Sequence, residues 1–252
     1  MARHDKALQG VMLVALLILF PMTIQLLVHQ DESPLWRTVY VEVDSEEEEE
    51  IDARSEPPRR EDVARIATFN IKIFGEAKMG KPDVVSELVN ITMRYDMLVV
   101  QEIKDLDQTV PYDFLDAINA KSNETYALVL SERSGQQDDD QSGQEQYAFY
   151  YRTSRFEATS FWLHNDSEND QFQREPLISN FNLLADNGSI LEEMALITVH
   201  TKPASAVNET GALHNVVETY KQNSTHNHII VLGDFNADCG YASTYELDQL
   251  DI

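Results

Sequence analysis

Two short, mostly apolar runs that end in polar residues constrain the fold of this chain most strongly. The run over residues 97–100 leads into Glu102, and the run over residues 228–232 leads into Asp234 and Asn236. Short apolar runs of this length are typical of strands that are buried on both faces. The sequence therefore predicts buried strands whose ends present carboxylate and amide side chains.

Further strands and helices are predicted along residues 63–252. Helical spacing covers residues 82–94, 110–119 and 207–222, strands are predicted for 65–71, 126–130, 147–152, 156–163, 176–183 and 191–200, and a polar loop for 134–145. Several strands follow one another without a helix, which favours two packed sheets with helices outside over a doubly wound nucleotide-binding fold. The sequence contains neither a Gly-x-Gly-x-x-Gly motif nor a Walker loop.

The N-terminal segment points to the secretory pathway. Residues 11–28 are apolar and uncharged, and Arg3 and Lys6 precede them. This length lies between a signal-peptide core and a membrane span, so residues 1–30 are predicted to be either a cleaved signal peptide or a signal-anchor. An anchor would place the rest of the chain outside the cytosol, as a type II membrane protein. Membrane anchoring through residues 11–28 and secretion both stay open.

A set of glycosylation motifs agrees with an extracellular or lumenal location. Asn-x-Ser/Thr occurs at Asn90, Asn123, Asn165, Asn187, Asn208 and Asn223. Chance would give roughly two such motifs in a chain of this composition. The excess predicts a glycoprotein.

The charge distribution separates residues 31–62 from the rest. Seven of the nine residues from 44 to 52 are acidic, which predicts a solvated, disordered linker, with cation capture or docking as a functional alternative. The net charge of −25 excludes a basic, groove-filling nucleic-acid binder. It does not exclude a nuclease whose positive charge is a metal ion. The single cysteine excludes a disulfide-stapled miniprotein.

Polar residues at the predicted strand ends are candidates for a catalytic site. Asn70, Glu102, Asp234 and Asn236 offer hard oxygen ligands, which favour Mg²⁺, Mn²⁺ or Ca²⁺ over Zn²⁺. His200 ends another strand, and a histidine beside a metal-activated phosphate can move protons. Each residue also has an ordinary alternative as a turn cap, a strand-end acid or a core histidine.

The same segments carry a family pattern. The strings are residues 66–71 (IATFNI), 74–79 (FGEAKM), 94–96 (RYD), 99–102 (VVQE), 174–176 (REP), 199–201 (VHT) and 233–239 (GDFNADC). Over residues 64–242 the chain resembles the DNase I family of the endonuclease/exonuclease/phosphatase superfamily. The resemblance implies an α/β fold, a four-layer sandwich of two packed β-sheets flanked by helices. It also implies divalent-metal-dependent, endonucleolytic hydrolysis of DNA phosphodiester bonds.

The resemblance assigns roles to individual residues. It implies a site for Mg²⁺ or Mn²⁺ formed by Glu102, Asn70, Asp234 and Asn236. His200 matches a catalytic histidine, and Glu145 matches its carboxylate partner. Arg174 matches an arginine that contacts DNA phosphates, and Lys72 and Lys104 fall where relatives carry basic substrate contacts.

A second cation site is implied by the loop before the REP string. Asp170, the carbonyl of Phe172 and Glu175 resemble a structural Ca²⁺ loop, with Asp166 as a looser candidate. The cysteine pair that relatives often carry in this loop is absent, and the loop is shorter.

Two departures from the family pattern bear on substrates and partners. Gly143 stands where relatives place a minor-groove tyrosine, after an acidic insertion at residues 138–140 that would repel phosphates at short range. DNA binding is therefore expected to be weaker or different. The surface around Leu128–Leu130 lacks the tyrosine that contacts actin in relatives, so actin binding is not expected. The protein is expected to be a monomer.

A third departure is that the family pattern continues beyond Ile252. An Asp-Arg strand, a second Ca²⁺ loop and a closing Ser-Asp-His segment would follow, together with the disulfide partner that the resemblance implies for Cys239. Residues 63–252 are therefore expected to be a C-terminally truncated DNase I-like domain that lacks its last strands and has low or no activity. The alternatives are a membrane-tethered or secreted non-catalytic protein that binds metal or nucleic acid, and a superfamily phosphatase that acts on a small phosphoester or lipid.

Overall fold

A computed structural model of the protein describes residues 25–28, 37–42, 63–135, 143–226, 228–238 and 240–250. Most of the predicted signal segment and acidic linker lies outside these residues, as do the acidic insertion at 138–140, Cys239 and Ile252. Among the described helices, none combines the length and the apolar character that crossing a bilayer requires.

The described strands form two mixed sheets. The first contains β1 (Gln25–Val28), β2 (Arg37–Glu42), β3 (Ile66–Phe74), β4 (Met97–Ile103), β5 (Tyr126–Leu130) and β6 (Gln146–Arg152), in the order β1-β2-β3-β4-β6-β5. The second contains β7 (Phe156–Leu163), β8 (Leu177–Leu184), β9 (Ile190–His200) and β10 (His228–Asp234), in the order β10-β9-β8-β7. The pairs β3–β4 and β9–β10 are parallel, and the other neighbours are antiparallel.

The described part of the chain also contains α-helices. They are α1 (Glu76–Met79), α2 (Pro82–Met93), α3 (Val110–Lys121), α4 (Ala206–Asn223) and α5 (Thr244–Leu247). Helices α2 and α3 share a core with the first sheet, and α4 shares one with the second. Pro82 occupies the first turn of α2, where its missing N–H costs no helical hydrogen bond.

Alternation along the central strands creates the layers. In β4, Val100 packs toward Phe114 of α3, whereas Val99 belongs to the core between the sheets with Phe181 of β8. In β9, Ile197 faces the core under α4. Because successive strand side chains point to opposite faces, each sheet buries one face on its partner sheet and the other on helices. The predicted four-layer sandwich is confirmed.

The structure differs from the sequence expectations mainly at short elements. Helices α1 and α5, of four residues each, were not predicted. Strand β2 lies within residues 31–62, and the disordered linker over that range stays a prediction. Its β-branched and aromatic residues favour an extended chain, and it pairs with β3 through Val39 opposite Ile66. The boundaries at residues 30 and 62 stay predictions.

The parallel strand pairs place the candidate residues at one end of the molecule. Asn70 stands opposite Gln101 in the first sheet, and Asp234 stands opposite His200 in the second. Below them, the buried Gln101 amide donates to Thr68 Oγ1 at 2.8 Å within its own sheet. It also donates to Thr198 Oγ1 of the second sheet at 3.3 Å. The corresponding ends of the two sheets therefore meet at the same point.

Gly233, one residue before Asp234, is expected to tolerate no side chain. It has φ +147°, and a Cβ there would lie 1.9 Å from the carbonyl oxygen of Val199 on β9. We predict that Gly233→Ala lowers the free energy of unfolding by about 3 kcal/mol or more, because overpacking and backbone strain add. Urea denaturation would measure this change. Gly240→Ala is the matched control, since a Cβ at Gly240 meets nothing within 4 Å, and equal effects of the two variants would contradict the prediction.

Candidate active site

Side chains from β3, β4, β9 and β10 converge where the two sheets meet. Asn70 Nδ2 donates to Glu102 Oε1 at 3.0 Å and to Asp234 Oδ2 at 2.8 Å. His200 Nε2 lies 3.8 Å from each of these same two oxygens. One carboxylate oxygen from each sheet is thus held between an amide and an imidazole.

The other ring nitrogen of His200 contacts a buried carboxylate. Glu145, at 2% exposure, places Oε2 at 2.7 Å from His200 Nδ1. Arg174 Nε lies 3.0 Å from the same oxygen, and Lys104 Nζ lies 3.3 Å from Oε1. Burial alone would raise the pKa of Glu145. The His200 hydrogen bond and the charges of His200, Arg174 and Lys104 outweigh burial and hold this pKa below its ordinary value.

These contacts fix the tautomer and orientation of the imidazole. Because an ionised Glu145 can only accept, His200 Nδ1 is the donor, and Nε2 faces Glu102 and Asp234. The main chain of His200 is also held. Its N–H donates to the hydroxyl of Tyr147 at 3.0 Å, and its carbonyl accepts from Arg174 Nη1 at 3.1 Å. Burial raises the pKa of the Tyr147 phenol, so this hydroxyl stays neutral.

The carboxylate of Glu102 is held by an unusual stretch of backbone. Lys72, Ile73 and Glu102 all have φ between +52° and +57°, in the left-handed region that non-glycine residues seldom adopt. The N–H of Ile73 donates to Glu102 Oε2 at 2.9 Å, and the N–H of Lys72 donates to Asn70 Oδ1 at 2.7 Å. The end of β3 therefore curls around Glu102 and fixes the direction of both Asn70 and Glu102.

Asn236 organises the loop after β10. It also has a positive φ, +46°. Its N–H donates to Asp234 Oδ1 at 3.0 Å, and its side-chain amide donates to the carbonyl of Thr201 at 2.8 Å. Asn236 thus holds Asp234 from one side and ties this loop to the chain that follows His200.

The carboxylates match the way in which proteins bind small divalent cations. The Glu102 and Asp234 side chains are 18% and 31% exposed, so solvent reaches them. Within the described part of the chain, no three His, Cys, Asp or Glu side chains form a cluster that could hold a metal ion. Mg²⁺ is usually bound through one or two carboxylates, with waters and substrate phosphates completing its shell. A pair of converging carboxylates flanked by Asn70 fits that donor set.

The three predicted basic substrate contacts occupy different positions. Arg174 and Lys104 lie at the site, where both contact Glu145, and the Arg174 side chain is 13% exposed. Lys72 is exposed on the curled end of β3. The structure therefore brings Arg174 and Lys104 next to Glu145 and places Lys72 on the end of β3. Their contact with phosphates stays a prediction.

The predicted calcium residues share one loop. Asp166 Oδ2 accepts the N–H of Phe172 at 2.9 Å, and its carbonyl accepts the N–H of Asp170 at 2.7 Å. Burial raises the pKa of Glu175, and the charges of Asp166 and Asp170 raise it further. Glu175 Oε2 is buried and makes no hydrogen bond with the described residues. An oxygen of this kind is a suitable cation ligand.

Four residues of the site and its support were not predicted from the sequence. They are Lys78, Gln101, Tyr147 and Glu209. Glu209 is a buried acid on α4 that accepts the N–H of Lys202 at 3.2 Å, and burial raises its pKa. Polar groups in buried strands need hydrogen-bond partners, so Gln101 and Tyr147 carried a sequence signal. Lys78 lies in the 74–79 string of the family pattern, which assigned it no role. Glu209 carried no signal, because amphipathic helices commonly contain such residues.

Comparisons with known proteins show the family of the chain. The pattern of the Endonuclease/Exonuclease/phosphatase family matches residues 67–251. Deoxyribonuclease-1 of Bos taurus is 33% identical over 190 residues, which cover 74% of this chain and 65% of the relative. Deoxyribonuclease-1 of Homo sapiens is 35% identical over 181 residues, covering 70% and 62%. Deoxyribonuclease-1 of Ovis aries is 31% identical over 190 residues, covering 74% and 70%. A solved structure, humanized D. rerio TDP2 with 14 mutations, aligns with a TM-score of 0.49 and 16% identity over 74% of this chain and 65% of that chain. The chain spans less than two thirds of the length of the bovine and human relatives.

The contacts of Glu145 generate a prediction on stability against pH. A carboxyl whose folded pKa is lowered contributes stability above its ordinary pKa, here 4.5, and loses that contribution as pH falls through the folded value. We predict that Glu145→Gln lowers the free energy of unfolding by about 3 kcal/mol at pH 7, because its cationic partners lose their counter-charge. The loss shrinks below pH 4.5.

Urea denaturation at pH 7 and at pH 4 measures this difference. The control is Glu218→Gln on the exposed face of α4, which should change stability little at either pH. A Glu145→Gln deficit of the same size at both values would contradict the assignment of an ionised Glu145.

Glu175 generates a prediction on calcium. A carboxyl with a raised folded pKa destabilises the protein at pH 7, and this cost disappears as pH falls through the folded value. We predict that Glu175→Gln raises the unfolding temperature without Ca²⁺, whereas millimolar Ca²⁺ stabilises the parent chain more than the variant. Thermal unfolding with Ca²⁺ and with chelator tests this. An equal Ca²⁺ shift in both proteins would argue against Glu175 as a ligand.

Proposed function

Because the chain belongs to the endonuclease/exonuclease/phosphatase family, we propose that it is a DNase I-type enzyme that hydrolyses DNA phosphodiester bonds with a divalent metal ion. The observation that carries the proposal is the placement of His200. Its Nδ1 is held by the buried Glu145, while its Nε2 faces the carboxylates of Glu102 and Asp234. Relatives named deoxyribonuclease-1, at 31–35% identity, support DNA as the substrate.

Glu102 and Asp234 would hold the divalent ion, Mg²⁺ or Mn²⁺, with Asn70 and Asn236 beside them. When bound, the ion supplies charge stabilisation to the phosphate oxygens in the transition state. Asn70 keeps the two carboxylates together, since it bonds an oxygen of each. Held in this way, the carboxylates need little rearrangement before substrate binds.

In this proposal His200 is the general base. Its Nε2 would take a proton from the attacking water, and Glu145 would stabilise the imidazolium that forms. Arg174 and Lys104 keep Glu145 ionised, so its acceptor role persists through the cycle. Positioned proton transfer of this kind contributes about 10²–10⁴-fold to the rate.

Substrate contacts and location complete the proposal. Arg174, Lys104 and Lys72 would contact phosphates on the DNA strand. The calcium loop of Asp170, Phe172 and Glu175 would stabilise the fold. We place the protein in the secretory pathway, extracellular or lumenal. This rests on the N-terminal apolar run and on glycosylation motifs, of which those at Asn123, Asn165 and Asn187 have exposed asparagines outside helices and strands.

Plasmid nicking tests the proposed function. We predict His200-dependent conversion of supercoiled to open-circular DNA in the presence of Mg²⁺ and Ca²⁺, and its loss in chelator. His200→Ala should lower the nicking rate by about 10²-fold or more. Supercoiled substrate makes the assay sensitive, because a single cut changes the mobility of the whole plasmid.

His214→Ala is the matched control, since His214 is an exposed histidine on α4. It should nick at the rate of the parent chain. Nicking that survives His200→Ala, or that chelator leaves unchanged, would refute the assignment of this site.

A further inference from the structure

A lysine outside the proposed catalytic groups supports the curled end of β3. Lys78, on the short helix α1, donates from its ammonium to the main-chain carbonyl of Ile71 at 2.5 Å and to the carbonyl of Lys72. These carbonyls belong to the backbone that curls around Glu102. Burial lowers the pKa of Lys78, and the nearby charge of Glu102 acts against this shift.

The backbone that Lys78 holds is strained. Lys72 and Ile73 are consecutive non-glycine residues in the left-handed region, at φ +52° and +53°. A β-branched residue such as Ile73 is a genuine outlier there, and its side chain is 56% exposed, so packing does little to stabilise it. Strained backbone of this kind persists only where surrounding contacts over-determine it.

The strained conformation directs two N–H groups at the proposed metal site. The N–H of Lys72 reaches Asn70 Oδ1, and the N–H of Ile73 reaches Glu102 Oε2. With Oε2 occupied in this way, Glu102 Oε1 is the oxygen that faces Asn70 and His200. Contacts that hold the backbone of Lys72 and Ile73 therefore determine which carboxylate oxygen of Glu102 faces the proposed metal site.

Helix α1 holds Lys78 in a fixed place. A Cβ on Gly75 would lie 2.5 Å from the carbonyl oxygen of Lys104, so α1 begins directly against the chain that follows β4. The N–H of Lys104 donates to the carbonyl of Phe74 at 2.9 Å, and the N–H of Lys78 donates to the carbonyl of Gly75 at 2.9 Å. The ammonium is thus placed by main-chain contacts to both β3 and β4.

We propose that Lys78 is a positioning residue, which holds the end of β3 so that Asn70 and Glu102 are arranged for a divalent cation before the cation arrives. The proposal rests on the proposed function in assuming that Glu102 is a ligand. Lys78 touches no substrate in this role and acts through the carbonyls of Ile71 and Lys72. Supporting groups of this kind typically change metal affinity by about 10–100-fold when they are removed.

Calorimetric titration of the full chain with Mn²⁺, without DNA, tests the proposal. Lys78→Met removes the ammonium, and we expect Mn²⁺ affinity to fall about 10-fold or more. Lys78→Arg keeps a charged donor and should recover part of the affinity. Lys81→Met is the matched control, because Lys81 is an exposed lysine at the start of α2, and it should bind Mn²⁺ within about 2-fold of the parent chain.

Glu102→Gln separates the two proposals. If Glu102→Gln weakens Mn²⁺ binding and Lys78→Met does not, the role of Lys78 is refuted and the metal site stands. If Glu102→Gln has no effect on the binding, both are refuted. In the Glu102→Gln background, Lys78→Met should lower Mn²⁺ affinity much less than in the parent chain, because Lys78 acts by positioning Glu102. If Lys78→Met does not fold at 25 °C, Lys78→Gln replaces it, with the same expected loss.

Discussion

The organisation of this protein depends on the burial of one negative charge. The Glu145 carboxylate lies in the interior, and leaving it without partners would cost about 3–5 kcal/mol. Its partners come from both sheets: Lys104 follows β4 of the first, His200 ends β9 of the second, and Arg174 precedes β8. The two sheets must therefore pack in one register for the charge to be compensated. The same register orients the imidazole, so the requirement that stabilises the interior also builds the site.

A second constraint acts on the backbone around Glu102. The strand ends deliver the right side chains, but a regular strand would point neighbouring residues to opposite faces. Left-handed residues at Lys72, Ile73 and Glu102, with Asn236 opposite, turn the polar groups toward one point. Such residues cost free energy, and the hydrogen bonds that they make to Asn70, Glu102 and Asp234 offset part of it. Strain at this end of the sheets is thus a consequence of gathering polar side chains from β3, β4 and β10 at one point.

The sequence predicted what depends on periodicity and residue type. Short apolar runs identified β4 and β10, and the residues that end them supplied Glu102 and Asp234. The sequence could not predict interactions between residues far apart along the chain. An example is the hydrogen bond from the His200 N–H to the Tyr147 hydroxyl, which joins positions 53 apart. The local sequence pattern also did not predict helix α1, because a helix of four residues is too short to show a hydrophobic period. Lys78 lies in the 74–79 string of the family pattern, but no pattern in the sequence assigned it a role. Its role depends on the conformation of Lys72 and Ile73, which no propensity scale predicts for those residue types.

The acidity of the chain and the proposed use of DNA are compatible when charge is counted locally. The net charge is −25, yet the carboxylates of Glu102, Asp234 and Glu145 stand beside the cations of Lys104, Arg174 and Lys78. These groups nearly balance, so the site by itself exerts little net attraction on a phosphate. With a divalent ion bound, the same site carries a positive charge, while exposed acids more than about 10 Å away are largely screened at 0.1 M salt. Metal binding would then govern DNA binding as well as chemistry, which is how an acidic protein can act on a polyanion without a basic groove.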